Sequence, residues 1–127
     1  MKKTLFSHLL PALLIAIPAN DAMAAGDAAK GKQVYMQCQA CHRIDASGKS
    51  TIGPNLNKLS GRTSGTLPGF KYSPAMAKAG RVWNDAALDA FLASPAKSIP
   101  GNRMPFGGIR NPADRQNVIA YIRSASK

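Results

Sequence analysis

The chain has 127 residues and a net charge of +11 at pH 7, from 17 lysines and arginines against six acids, every one an aspartate. That length holds one small domain. The sequence has no G-x-S-x-G run, phosphate-binding glycine loop or carboxylate pair, which argues against hydrolase and phosphoryl-transfer chemistry.

The first residues, Met1-Lys2-Lys3-Thr4, form a basic head. An apolar stretch over 5–17 follows, and Ala22-Met23-Ala24 presents small residues where a signal peptidase reads. This three-part layout predicts a cleavable secretory signal peptide over 1–24. The apolar stretch is short for a membrane span, which needs about 20 residues; an uncleaved anchor is the alternative. The expected mature domain is 25–127, still near +10 without Lys2, Lys3 and Asp21. A leader of this kind points to a bacterial periplasm, an oxidising compartment. Export disfavours nucleic acid as the partner of the positive charge. It leaves acidic protein faces or an anionic membrane surface.

Asp27 is a helix N-cap, and the spacing of Gly31, Val34, Tyr35 and Cys38 predicts a helix from 28 to about 40. Gly31 is a poor helix former, so it marks a close backbone contact. The helix is expected to carry Cys38-Gln39-Ala40-Cys41-His42 at its C-terminal end. This C-x-x-C-H run is the attachment signature of a c-type haem. Two thiols three positions apart reach one porphyrin edge, and the following imidazole can ligate the iron. A disulfide, a zinc site and a chance match compete with that reading. Zinc fails by count, because a structural site wants four ligands and 25–127 holds two cysteines and one histidine. A redox-active C-x-x-C needs a strand before it, and no β-rich run precedes Cys38.

Residues 43–50 read as a polar loop. Gly53-Pro54 signals a turn, and a carbonyl near Pro54 is a candidate acceptor for the free N–H of His42. Arg62 and Tyr72 are candidate partners of a haem propionate in an irregular stretch. Ser73-Pro74 starts a short helix ending at Gly80. Trp83, the sole tryptophan, is a candidate donor to the same propionate. Asn84 caps a helix with Leu88, Phe91 and Leu92 on one face, ending before Pro95. Residues 99–106 are extended and proline-bracketed. They place Met104 on a loop, where core methionines are uncommon, so Met104 is the favoured second iron ligand, with Met76 as the alternative. Asn111-Pro112 opens a terminal helix with Val118, Tyr121, Ile122 and Ala125 on one face.

These ordered motifs resemble the class I cytochromes c, the small soluble monohaem type similar to mitochondrial cytochrome c and bacterial cytochrome c2. The resemblance runs from about 27 to 126. It is carried by Cys38-x-x-Cys41-His42, Gly53-Pro54-Asn55-Leu56, Gly61-Arg62-Thr63, Tyr72-Ser73, Trp83 and Arg103-Met104-Pro105-Phe106. It implies an all-α cytochrome c fold, with a few helices round one covalently attached haem and the N- and C-terminal helices crossing at Gly31 and Tyr121. It implies thioethers at Cys38 and Cys41, axial ligands His42 and Met104, and Pro54 accepting from His42. Arg62, Tyr72 and Trp83 would surround the inner propionate. The chain departs from the family at Phe91 (often tyrosine), Met76 (often asparagine) and Asn102 (often threonine), so a less polar Met104 side is expected.

The function so implied is a soluble periplasmic one-electron carrier with heme c and iron, working as a monomer. Its partners would be acidic-faced redox proteins, a membrane-bound reductase and a terminal oxidase or reductase, docking near Lys97, Arg103 and Lys32. A haem enzyme such as a peroxidase or an oxidase module is the alternative, and a haem-based sensor a third. The enzyme reading needs an open sixth position, which Met104 opposes; the sensor would need an output partner.

Overall fold

The computed structural model describes residues 25–127, so the leader expected over 1–24 lies outside the described residues. The elements are α1 (Ala28–Tyr35), α2 (Pro74–Lys78), α3 (Asp85–Ala93), α4 (Pro95–Ser98) and α5 (Pro112–Ala125). Among the described residues there is no strand, only an isolated antiparallel bridge between Thr63 and Val82.

The helices start where their capping chemistry says. The Asp27 carboxylate accepts from the backbone N–H of Ala29 at 2.8 Å and of Lys30 at 3.1 Å. Ser73, Asn84 and Asn111 accept from Met76, Ala87 and Ala113 at the starts of α2, α3 and α5. Each bond satisfies a donor that the first helical turn leaves free. Proline at the first position of α2 and α5 removes another such donor.

The terminal helices cross tightly. A Cβ on Gly31 would stand 1.8 Å from the Asn117 carbonyl oxygen and 2.9 Å from Tyr121 Cβ. Only a residue without a side chain fits, as the sequence implies. Tyr35 and Tyr121 pack beside this crossing with ring centroids 5.0 Å apart. The α5 face is wider than its periodicity suggests, because Ile119 is buried together with Val118 and Ile122. Helix α3 lies against α5 through Asp89, whose carboxylate accepts from Arg115 at 2.8 Å and Gln116 at 3.0 Å.

Two elements differ from expectation. Helix α1 ends at Tyr35, not near 40, and the Cys38–His42 run lies in a chain of turns beyond it. The bonds tighten there: Met36 N–H reaches Gln33, and Cys38 N–H reaches Tyr35, each three residues back. Such i→i+3 bonds end an α-helix, and they turn His42 back towards Tyr35. The second is α4, which is only four residues long and has no apolar repeat to betray it. Pro95 at its first position and the bond from Ile99 N–H to the Pro95 carbonyl define it.

Candidate functional site

One apolar cavity of ≈ 260 Å³ opens between the turns after α1 and the segment after α4. All eight candidate residues line it: Cys38, Cys41, His42, Pro54, Arg62, Tyr72, Trp83 and Met104. They come from six separate stretches of chain, so the fold alone gathers them.

The His42 wall is built from local chain. His42 Nδ1 lies 2.7 Å from the Pro54 carbonyl oxygen. A carbonyl can only accept, so Nδ1 carries the proton and Nε2 keeps its lone pair. Burial lowers the pKa of His42, opposed by the bond to Pro54, which favours a neutral ring able to ligate metal. Gly53 supports the imidazole by having no side chain, since a Cβ there would stand 2.5 Å from His42 Cε1. The Cys41 carbonyl accepts from Gly53 N–H and from the Thr51 hydroxyl, both at 2.8 Å. The Tyr35 hydroxyl donates to the His42 carbonyl at 3.1 Å. The sequence placed Tyr35 only on a core face and gave Thr51 no role. A hydroxyl bond across a turn leaves no periodic signal.

Cys38 and Cys41 are half-buried at the cavity edge and are not joined in a disulfide. Burial, then the neighbouring Cys41, pushes the Cys38 thiol up to about 11. Redox-active C-x-x-C thiols are shifted the other way. Among the described residues no cluster of three or more His, Cys, Asp or Glu could hold a metal ion. Two thiols beside a single imidazole at the edge of an apolar cavity fit a covalently held porphyrin.

Arg62 and Trp83 are brought together by the backbone around the Thr63–Val82 bridge. Trp83 N–H donates to the Arg62 carbonyl at 2.9 Å, and Gly61 N–H to the Trp83 carbonyl at 2.8 Å. The Arg62 guanidinium is half-buried, donates to the Asn55 carbonyl at 3.0 Å, and has its pKa lowered chiefly by desolvation. None of the three ion pairs among the described residues includes it. A cation so placed fits a carboxylate entering the cavity. The Tyr72 hydroxyl accepts from Leu67 N–H at 3.3 Å, which leaves its own proton free to donate.

The Met104 wall is apolar, with Met76, Phe91 and Phe106 facing the same cavity. Asn102, expected only as a departure from the family pattern, accepts from Met104 N–H at 2.9 Å and donates to the Pro95 and Ile99 carbonyls at 2.8 Å each. Of the rim cations named from sequence, Arg103 lines the mouth while Lys32 and Lys97 do not; Lys71 lines it instead.

The cytochrome c family model matches residues 28–126. This chain belongs to the cytochrome c family. It is 45% identical over 101 residues to cytochrome c2 of Rhodomicrobium vannielii, covering 80% of this chain and 81% of that one. It is 34% identical over 122 residues to cytochrome c-554 of Methylosinus trichosporium, covering 96% and 92%. The solved structure of cytochrome cH from Methylobacterium extorquens superimposes with a TM-score of 0.74 at 37% identity, over 78% of this chain and 99% of that one. The fold is thus the all-α cytochrome c fold, and the prosthetic group is one covalently attached haem c with its iron. This cytochrome carries electrons and is not an enzyme.

Proposed function

We propose that the mature chain is residues 25–127, exported by a leader over 1–24, and acts in the periplasm as a soluble monomeric one-electron carrier. In this reading Cys38 and Cys41 hold the haem through thioether bonds. His42 Nε2 and the Met104 sulfur would be the two protein atoms that hold its iron. When bound, the haem supplies a metal that takes up and returns one electron. The protein's part is to keep that centre closed and rigid. Pro54 and Tyr35 fix the imidazole and its carbonyl. The apolar walls exclude water, and a histidine–methionine ligand pair would favour the reduced state. Arg62, Tyr72 and Trp83 hold the inner propionate.

The observation that carries this reading is that the lone imidazole of the domain and a loop methionine line one apolar cavity, with two unbridged thiols at its edge. Optical spectra of the haem-loaded protein test it. A low-spin spectrum with a methionine-to-iron charge-transfer band is expected in the ferric form. Met104→Ala should abolish that band and lower the potential, whereas Met76→Ala should keep it. Survival of the band in Met104→Ala would refute the ligand assignment.

The partners proposed are acidic-faced redox proteins, a membrane-bound reductase and a terminal oxidase or reductase, with an anionic membrane surface as a further docking site; no nucleic acid is involved. The exposed cations Lys71 and Arg103 at the cavity mouth support this. Encounter rates with such partners should fall steeply with ionic strength. A rate indifferent to salt would overturn the partner class.

A further inference from the structure

Met104 sits in a segment, residues 99–111, that has no regular structure. Such a segment does not hold a ligand in place by its own backbone. The Asn102 side chain does part of the work. Its Oδ1 accepts from Met104 N–H, and its Nδ2 donates to the carbonyls of Pro95 and Ile99, at either end of α4. These three partners also fix the amide orientation, because a flip would face two carbonyls with an oxygen and an N–H with a donor.

The clamp is only as firm as α4, and α4 is one turn long. Isolated helices so short are not stable in water, and the Ser94 side chain makes no capping bond at its start. Pro95 is fully buried and Ile99 lies in the core, and the side-chain hydrogen bonds that tie α4 to the rest of the fold come from Arg81. Its guanidinium donates to the Ser98 hydroxyl at 2.7 Å and to the Ser98 carbonyl at 2.5 Å. Arg81 is itself anchored through its backbone. Its N–H donates to the Ser64 hydroxyl at 2.9 Å, and its carbonyl accepts from Ser64 N–H at 2.6 Å. Ser64 is 1% exposed and stands next to the Thr63–Val82 bridge that aligns Arg62 and Trp83. Arg81 has no carboxylate partner in the ion pairs among the described residues. Its charge is spent on one residue of α4.

We infer that Arg81 and Asn102 are positioning residues that keep Met104 at the iron: Arg81 pins α4 to the chain beside the Thr63–Val82 bridge, and Asn102 hands that restraint to the Met104 backbone. This rests on Met104 being the axial ligand. Closure of the sixth position is then controlled from a side chain whose bonds go to α4 rather than to Met104, and loosening Arg81 opens the iron to external ligands without changing either axial residue. Arginine suits the post because one planar fork bonds a hydroxyl and a carbonyl together, with charge-assisted donors.

The test uses the haem-loaded ferric protein and free imidazole as the probe of an open sixth position. Arg81→Ala and Asn102→Ala should each raise imidazole affinity about ten-fold, the loss expected for hydrogen bonds from a charged donor or a doubly bonded amide. Asn102→Asp keeps the acceptor for Met104 N–H but loses both donors, and should behave like Asn102→Ala. Arg81→Lys keeps a charged donor and should recover part of the wild-type resistance. Ser98→Ala keeps the carbonyl acceptor and provides a mild variant should the others fold poorly; it should raise affinity by a smaller factor. Arg123→Ala, which removes an exposed ion pair with Asp85, should leave imidazole affinity unchanged. Wild-type affinity in both Arg81→Ala and Asn102→Ala, alongside loss of the charge-transfer band in Met104→Ala, would overturn the positioning role and leave the ligand assignment standing. Retention of the band in Met104→Ala would instead overturn the ligand assignment itself.

Discussion

His42 and Met104 face one cavity, but they are held in different ways. The His42 side is fastened by groups close to it in the chain. Pro54 is 12 residues away and Tyr35 seven, and a glycine gives the ring its room. The Met104 side is fastened largely by side chains, with Arg81 reaching Ser98 across 17 residues and Asn102 bridging to α4. Its far end is held by Ile109 N–H donating to the Leu92 carbonyl at 2.8 Å and by Arg115 donating to the Ile109 carbonyl at 2.8 Å. The difference teaches where such a centre opens. Such local bonds persist while the turn persists, whereas a strap hung on a few side chains can slip without global unfolding. The histidine side should be the fixed wall and the methionine side the movable one.

Gly53→Ala attacks the fixed wall and should have the largest effect. The new Cβ would meet the imidazole at 2.5–3.0 Å, and overpacking of this kind costs ~3 kcal/mol at its upper end. Thermal unfolding of the haem-loaded protein reads the loss, and a low-spin fraction below wild type reads the displaced ring. A wild-type melting curve would show that this wall yields.

Arg115→Ala attacks the far anchor of the strap. Arg115 is well buried, pairs with Asp89 and bonds the carbonyls of Ile109 and Arg110. Its loss should cost about 2 kcal/mol, with a smaller rise in imidazole affinity than Arg81→Ala gives. An equal or larger rise would move the control point from α4 to α5.

Tyr35→Phe removes one hydroxyl donor to the His42 carbonyl and should cost about 1 kcal/mol in denaturant unfolding. Imidazole affinity should not change, because the bond lies on the fixed side. A rise would mean that the two walls are coupled.

The smallest effect belongs to Asp45, in the exposed loop beside the His42 wall. Hydrogen bonds from Ser47 and then Arg43 depress its carboxyl to about 2. A depressed folded pKa stabilises above the unfolded value and is lost as pH falls through the folded one. The contribution is therefore full above about 4 and disappears towards pH 2. Asp45→Asn should lower neutral stability by a small amount, screened by solvent at this exposed site, and flatten the acid limb of the unfolding curve by that same amount between those values. An unchanged acid limb would remove Asp45 from the loop's support.

Much of the site is legible in the residue order because its chemistry is local. The thiol spacing, the adjacent imidazole, the turn at Pro54 and the loop placement of Met104 need no fold to be noticed. The four caps at Asp27, Ser73, Asn84 and Asn111 read correctly for the same reason, since a cap bonds within three residues. The end of α1 did not read correctly. The apolar repeat runs on to Cys38, but bonding changes at Tyr35 as the chain turns to bring His42 to the cavity. Helix α4 is too short to have a period, and the work of Arg81 is invisible from its neighbours.

By itself, then, the sequence determined which atoms could hold a haem, and that the terminal helices must meet at a glycine. Residue type and short spacing suffice for both. Only the tertiary structure decided how the second wall is held, that Asn102 serves α4 as well as Met104, and that Arg62 has no carboxylate partner among the described residues. Those outcomes depend on which distant backbone groups each side chain meets after packing, and no short-range pattern encodes that meeting.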